Sequence, residues 1–403
     1  MLGEDMAISK RILFTFVLLV TIVSITSAIL YVYHIKEGAV PTTKTVQVVG
    51  ERRLVEIVDV LDRRVRVQIP VQRVILLYGL EDWVAVGGEE ALHKIVAMNS
   101  WRYRKWRPDW WQAWIEHYPW LKEIPDTGQP GRNFNVELVI ESRPDVVIAT
   151  PWMYRSMVES GDAKRLEEAD IPVVVIDFVP KTTNLTEHLA IVKKSIMILG
   201  KLLGCEDRAE KLYKFYEKQV LLVVNRVREV KEKPRVLVLT TWSMWRAYGE
   251  KGMYHVWITF AGGINIGAKA IKGHSGDVNP EFILNENPDV IVFACNNNFP
   301  EGQRVVIGYT VNDVKPAKEA LKKLIDRPGW EKLRAVVNGR VYLIHHGLSH
   351  GHIFQFACLQ YFAKWLHPEL FKDLDPTQTL AEFYRKFMPY PLRGVWGVGL
   401  EDP

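Results

Sequence analysis

Four histidines fall within eight residues: His345, His346, His350 and His352, in the run IHHGLSHGH. Neutral imidazoles at that density can ligate a transition metal or cap a metal chelate. The plainer use is hydrogen bonding to the backbone of their own loop, and no cysteine or carboxylate nearby completes a closed metal site. The same run holds Gly347-Leu348-Ser349-His350-Gly351, a GxSxG pattern between the strand-like RVYLI and a helical stretch around Phe354–Leu366. That is the setting of a hydrolase nucleophile elbow. Such an enzyme places an acid and then a histidine after the serine, and no acid lies between Ser349 and His367, the last histidine. Neither a Walker A sequence nor HExxH occurs. These residues therefore predict binding without chemistry, with no catalytic residue and no resident cofactor. A metal-dependent or serine hydrolase on a duplicated α/β scaffold is the alternative of another class.

A second set of residues suits binding. Three stretches, SWRYRKW, TPWMYR and TTWSMWRAYG, join aromatic rings to arginines. Ring faces suit a large flat or catecholate-like chelate, and guanidinium groups suit carboxylate or phenolate oxygens through forked hydrogen bonds. The candidates are Tyr78, Trp101, Arg102, Tyr103, Trp152, Tyr154, Arg155, Trp242, Trp245, Arg246 and Tyr248, with His346 and His350. The cluster Trp101, Trp106, Trp110, Trp111, Trp114 and Trp120 is too large to touch one ligand, so most of it should pack an insert in a lobe.

A third set is a repeated phrase. NVELVIESRPDVVIA starts at Asn135, and NPEFILNENPDVIVF starts at Asn279, 144 residues later. Asparagine is a good helix N-cap, proline fits the first helical position, and Glu137 and Glu281 fall in the first turn, where the helix dipole favours an anion. Each short helix ends at a Pro-Asp and enters an apolar strand. Two similar lobes, each showing one glutamate, are the economical explanation.

The elements that must position these residues follow from the patterning. RLVEIVDVLDRRVRVQIP alternates about Asp62-Arg63-Arg64 and predicts a hairpin. Short apolar runs alternating with helices predict βαβ units and mainly parallel sheets. Two helical stripes follow, through Leu185–Leu203 and Ala209–Val227, the second ending near Lys233-Pro234. In open α/β sheets a ligand lies beyond the C-terminal strand ends. Here those ends are residues 78–82, 99–104, 150–155, 241–248, 294–298 and 345–352.

Length and composition fit this plan. The chain of 403 residues suits two domains, and its net charge of +5 without a Lys/Arg run argues against a nucleic-acid binder. Three scattered cysteines, Cys205, Cys295 and Cys358, read as buried apolar residues. Ile12–Ile35 holds 24 residues without a charge, about 36 Å as a helix, enough to cross a bilayer. An uncleaved N-terminal anchor is expected, a cleaved signal peptide being the alternative. Residues from about 37 onward should be extracytoplasmic.

The chain resembles the substrate-binding proteins of ABC importers for iron-siderophore, haem and cobalamin uptake. The resemblance rests on VEIVDVLDRRVRVQIPVQRVILL, NVELVIESRPDVVIA, ILGKLLGCEDRAEKLYKFY, FAGGINIG, SGDVNPEFILNENPDVIVF, WEKLRAVVNGRVYLI and AKWLHPELF, in family order across most of 54–387. It implies an α/β fold of two Rossmann-like lobes joined by one long helix, with the ligand cleft between them. The expected organisation is an anchor or signal segment over 1–36 and a linker over 37–52. An N-terminal lobe spans 53–183, a helical segment with the connecting helix 184–233, a C-terminal lobe 234–388 and an irregular tail 389–403. The resemblance further implies that Glu137 and Glu281 dock on arginines of a permease dimer driven by its ATPase, and that the protein is a monomer carrying a metal-chelate ligand. An iron(III) chelate is the expected cargo; a corrinoid, haem or a molybdate-type oxyanion is the alternative. A GPR-like turn is common in such proteins where this chain has its histidine run, which marks the loop as specialised.

Overall fold

The computed structural model describes residues 52–243, 245–295, 306–350 and 352–401. The proposed anchor, nearly all of the linker and residues 296–298 of one strand end lie outside the described residues. Among the described residues no helix is long and apolar enough to cross a membrane.

The hairpin forms as predicted: β1 (Arg53–Val58) pairs antiparallel with β2 (Arg64–Ile69), and Asp62 turns the chain at φ 58°. The N-terminal lobe is an all-parallel sheet in the order β4-β3-β5-β6, with β3 Val74–Leu76, β4 Ile95–Met98, β5 Val146–Ala149 and β6 Val173–Val175. These strands are short apolar runs because helices cover both faces. The C-terminal lobe is a seven-stranded sheet. Its parallel centre is β7 (Arg235–Thr240), β9 (Ile264–Asn265), β11 (Val290–Cys295) and β12 (Val341–His345). Antiparallel strands flank it: β8 (Arg246–Tyr248), β10 (Ser275–Asp277) and β13 (Gly397–Gly399).

The tail is thus not wholly irregular. Val398 and the glycines around it pair with β12, and buried Trp396 anchors the approach. The Pro/Gly-rich composition that suggested a coil instead lets the chain lie close against the sheet edge: a Cβ on Gly397 would meet the Tyr361 ring at 2.5 Å.

Alternation along the strands divides the apolar residues between layers. In the N-terminal lobe Ile75, Val147 and Val173 enter an outer core, while Val74, Val146 and Val174 face a second one. In the C-terminal lobe Leu237, Ile291 and Leu343 face outward, while Val236, Val292 and Ile344 enter that same second core. The inner faces of both sheets therefore share one continuous core, filled by the intervening helices. Two of these run Leu185–Leu203 and Glu206–Val227. Asn184 caps the first by accepting the Glu187 N–H at 3.2 Å, and Gly204 ends it at φ 71°. The second has 22 residues, a span of about 33 Å, and leads into β7. It stops at Val227, short of Lys233-Pro234, because its apolar stripe ends there and charged residues follow.

The tryptophan-rich insert forms two short helices, Ser100–Trp106 and Pro108–His117. Trp110 and Trp114 are fully buried. The Trp110 ring sits 5.1 Å from His345, 5.6 Å from His352 and 5.6 Å from Trp396, so this insert of one lobe plugs into the other.

The repeated phrase forms the same structure twice. Asn135 Oδ1 accepts the Leu138 N–H at 3.0 Å, and Asn279 Oδ1 accepts the Glu281 N–H at 2.8 Å. The helices Val136–Glu141 and Pro280–Glu286 lead into β5 and β11, each lying beside the first parallel strand of its lobe. Glu137 and Glu281 are both exposed.

Candidate ligand-binding cleft

A cavity of about 390 Å³ opens where the strand ends of the two lobes meet. On the N-terminal side β3 delivers Tyr78, β5 delivers Thr150 and the start of the helix Pro151–Ser160, and β6 delivers Asp177 and Phe178. Pro151 at the first helical position turns Trp152 and Arg155 toward the opening. Arg102 reaches the cavity from the insert, where Asn99 caps its helix by accepting the Arg102 N–H at 3.2 Å. Its guanidinium lies 5.0 Å from the Tyr78 ring centre and 5.6 Å from that of Trp152. Lys181 adds a third cation on this side. One acid, Asp177, faces them; burial raises its pKa to about 6 despite the Val179 N–H bond and Lys181. The C-terminal side contributes Met253, His274 and His350.

Of the predicted residues, Tyr78, Arg102, Trp152, Arg155 and His350 come together here. The others do not line the cavity. Trp101 packs under Arg132, and Tyr103 is buried with its hydroxyl on Glu81 at 2.6 Å. Tyr154 lies beneath Arg63, whose guanidinium is 3.7 Å from the ring centre. Trp245 lies under the Arg327 guanidinium, which is 4.8 Å from its ring centre, and edge-on to Trp330, because just before β8 the chain turns it to the outer face of the sheet. Arg246 bonds Ser275 at 3.2 Å and faces Asp277 across the β8–β10 pair, so that arginine serves the sheet edge. Trp242 and Tyr248 form a layer behind the cavity: the Trp242 ring is edge-on to His346 at 5.1 Å, and the Tyr248 hydroxyl lies 3.2 Å from His346 Nδ1.

The histidine run divides in the same way. His346 and His350 are in contact, ring centres 4.0 Å apart, and His274 lies 5.6 Å from His350. Burial holds His346 and His350 well below the usual imidazole range, helped by Arg107 and by neighbouring histidines. His345 and His352 point inward. His345 Nδ1 accepts the Gly347 N–H at 3.1 Å and its Nε2 lies 3.2 Å from Asp109. His352 Nδ1 is 3.1 Å from Asp82. The four histidines thus divide into two directions, and among the described residues no group of three or more His, Cys, Asp or Glu is arranged to hold a metal ion. Ser349 is buried, and its hydroxyl donates to the His346 carbonyl at 2.9 Å and also contacts His350 Nδ1.

Asp177, Lys181 and His274 were missed. The strand-end rule applied to VVVIDFVPK after β6 would have found the first two. His274 precedes an antiparallel edge strand, where that rule does not apply. A larger depression of about 440 Å³, beside the helix Lys315–Ile325, is bounded only by C-terminal-lobe residues of mixed charge and has no facing wall.

Two α/β lobes enclosing a cleft of aromatic, aliphatic and cationic side chains at their strand ends define a bilobed solute-binding protein. The sequence profile described as "Periplasmic binding protein" matches residues 78–347, and the chain belongs to that family, the extracytoplasmic solute-binding proteins of ABC importers. It is 31% identical to the TroA-like periplasmic binding protein FepB from Veillonella parvula, whose crystal structure superposes with a TM-score of 0.78 over 86% of this chain and 100% of that one. The molybdate-binding protein MolA of Haemophilus influenzae is 24% identical over 349 residues, 82% of this chain and 90% of MolA. Its molybdate-bound structure shares the fold at a TM-score of 0.64, with 20% identity over 84% of this chain and 99% of that one.

Proposed function

We propose that the protein captures an anionic metal chelate, an iron(III) chelate of the siderophore kind, and hands it to an ABC permease. The N-terminal wall carries this reading: Arg102, Arg155 and Lys181 converge on one cavity floored by Tyr78 and Trp152. Cations select for negative oxygens, and the rings offer faces to a planar ligand. Size favours a chelate over a bare oxyanion. The 390 Å³ present falls in the range of ordinary small-molecule pockets, about 300–1,000 Å³. The similarity to MolA supports the oxyanion as the second reading.

Titration of the full-length protein decides between them. Iron(III) tris-catecholate should quench tryptophan fluorescence at 1:1 stoichiometry, more weakly as salt rises, while molybdate should bind less tightly. Tight molybdate binding without a catecholate response would establish the oxyanion reading, and silence toward both would sink the anion reading.

Glu137 and Glu281 are proposed as the permease contacts. Glu137 is already bonded to Arg165 at 2.7 Å, which lowers its pKa, so a permease arginine must share it. Reversing both glutamates to lysine should leave ligand affinity unchanged, since neither lines the cleft, and should abolish uptake by placing like charges against the permease. Folding should lose little, a first-turn carboxylate being worth about 0.3–1 kcal/mol. Normal uptake by the double variant would show that the two residues only favour their helix starts.

A further inference from the structure

Behind the cleft the lobes are joined by buried polar contacts. Arg107, on the insert of the N-terminal lobe, is 6% exposed. Its Nη2 donates both to the Tyr78 hydroxyl, at 3.2 Å, and to the carbonyl of His350 on the other lobe. The Tyr78 hydroxyl in turn donates to the same carbonyl at 3.2 Å. Tyr78 and His350 face each other across the cavity from opposite lobes. One guanidinium therefore grips both walls of the cleft by their backs.

Two further buried bonds run parallel to it. Asp82 Oδ1 accepts the Ile353 N–H at 2.6 Å, and Gln355 Nε2 donates to the Phe178 carbonyl, again lobe to lobe. Phe178 also lines the cavity. The Arg107 charge is not isolated. Its guanidinium lies 4.9 Å from the Trp110 ring centre, and the buried carboxylate of Glu81, fixed by the Tyr103 hydroxyl and the Trp114 indole, acts on it electrostatically.

We infer that Arg107 is a positioning residue that sets the spacing of the two lobes at the cleft, through its simultaneous hold on Tyr78 and His350. A lobe motion that opened this side would strip a buried cation of its two lobe-bridging acceptors, which a buried charge strongly resists. The lobes accordingly pivot about this seam and do not part at it, and cleft width there is a built-in property of the protein. The consequence for ligand size rests on the cleft being the ligand site; the spacing itself does not.

The test reads spacing without a ligand. Nitroxide labels go on Glu137→Cys and Glu281→Cys, one on each lobe, in a Cys205→Ser background, the other two cysteines being buried. Pulsed EPR should give one narrow distance with Arg107 present. Arg107→Met should broaden it and add a longer component, and Arg107→Lys, which reaches one acceptor, should restore it in part. Gln355→Met keeps the volume, removes the Phe178 bond and should broaden the distribution in the same direction. A parent-like distance in a folded Arg107→Met protein overturns the inference. Should that variant not fold, parent-like distances in both Arg107→Lys and Gln355→Met overturn it. Iron(III) tris-catecholate affinity is measured on the same proteins: failure of the parent to bind would refute the functional reading alone and leave the EPR result standing.

Discussion

Replacing Arg102 with methionine should weaken binding of iron(III) tris-catecholate about 10- to 150-fold, the equivalent of losing one charged hydrogen bond worth about 1.5–3 kcal/mol. Methionine keeps most of the apolar stem against Tyr78 and Trp152 and removes the charge, so the loss reports the guanidinium. Its bond to Gln129 is weak, 3.4 Å, and its buried Nε has no hydrogen-bond partner, which leaves the group able to engage a ligand. Arg246→Ala is the control: that arginine bonds Ser275 on the sheet edge, and affinity should not change. Calorimetry on both variants checks the assignment. Equal dissociation constants for the Arg102 variant and the parent would remove Arg102 from the site, and a loss confined to the Arg246 variant would return the site to β8.

Acidification from pH 6.5 to pH 4 should destabilise the fold by several kcal/mol. His346, His350 and His352 are held well below the usual imidazole range by burial, and burial takes His188 down to about 4. Each stays neutral in the folded protein, while the unfolded chain binds a proton below its ordinary pKa of about 6.5. Folding stability is therefore intact above that pH and falls as pH drops toward the folded values, by about 1.4 kcal/mol per group per pH unit. Two carboxylates act in the opposite sense. Burial raises Asp82 well above its usual range and Asp177 to about 6, so both bind protons more readily folded than unfolded. Burial lowers His255, His274 and His367 as well, so the lowered histidines outnumber the two raised carboxylates and the net effect of acidification is a loss, a large share of a typical stability of about 5–15 kcal/mol. Urea unfolding at pH 7, 6 and 5 measures it, and His188→Phe should reduce the slope by about 1.4 kcal/mol per unit. A stability that is flat or rising on acidification would show that these histidines take up protons in the folded state.

The sequence by itself determined the architecture, because its evidence is local. Apolar runs with β-branched residues specify buried strands wherever they fall. Asn135 and Asn279 cap helices through their own neighbours' N–H groups, and the doubled phrase marks corresponding places in two sheets. The strand-end rule then located the cleft, and Tyr78, Arg102, Trp152, Arg155 and His350 were legible from it.

What the sequence did not determine is direction and partnership across long separations. His345, His346, His350 and His352 are chemically one run. Whether an imidazole faces the cavity or a buried carboxylate depends on Asp82, in the helix that follows β3, and on Asp109, in the insert, both more than two hundred residues away. Trp245 and Arg246 look like ligand contacts until β8 pairs with β10 and turns one outward and the other along the edge. His274 and Lys181 carry no pattern and join the site only because two lobes meet there. The hold of Arg107 on Tyr78 and His350 is likewise a product of packing: a buried cation is tolerated only where the tertiary structure supplies its acceptors, and no spacing in the chain announces them.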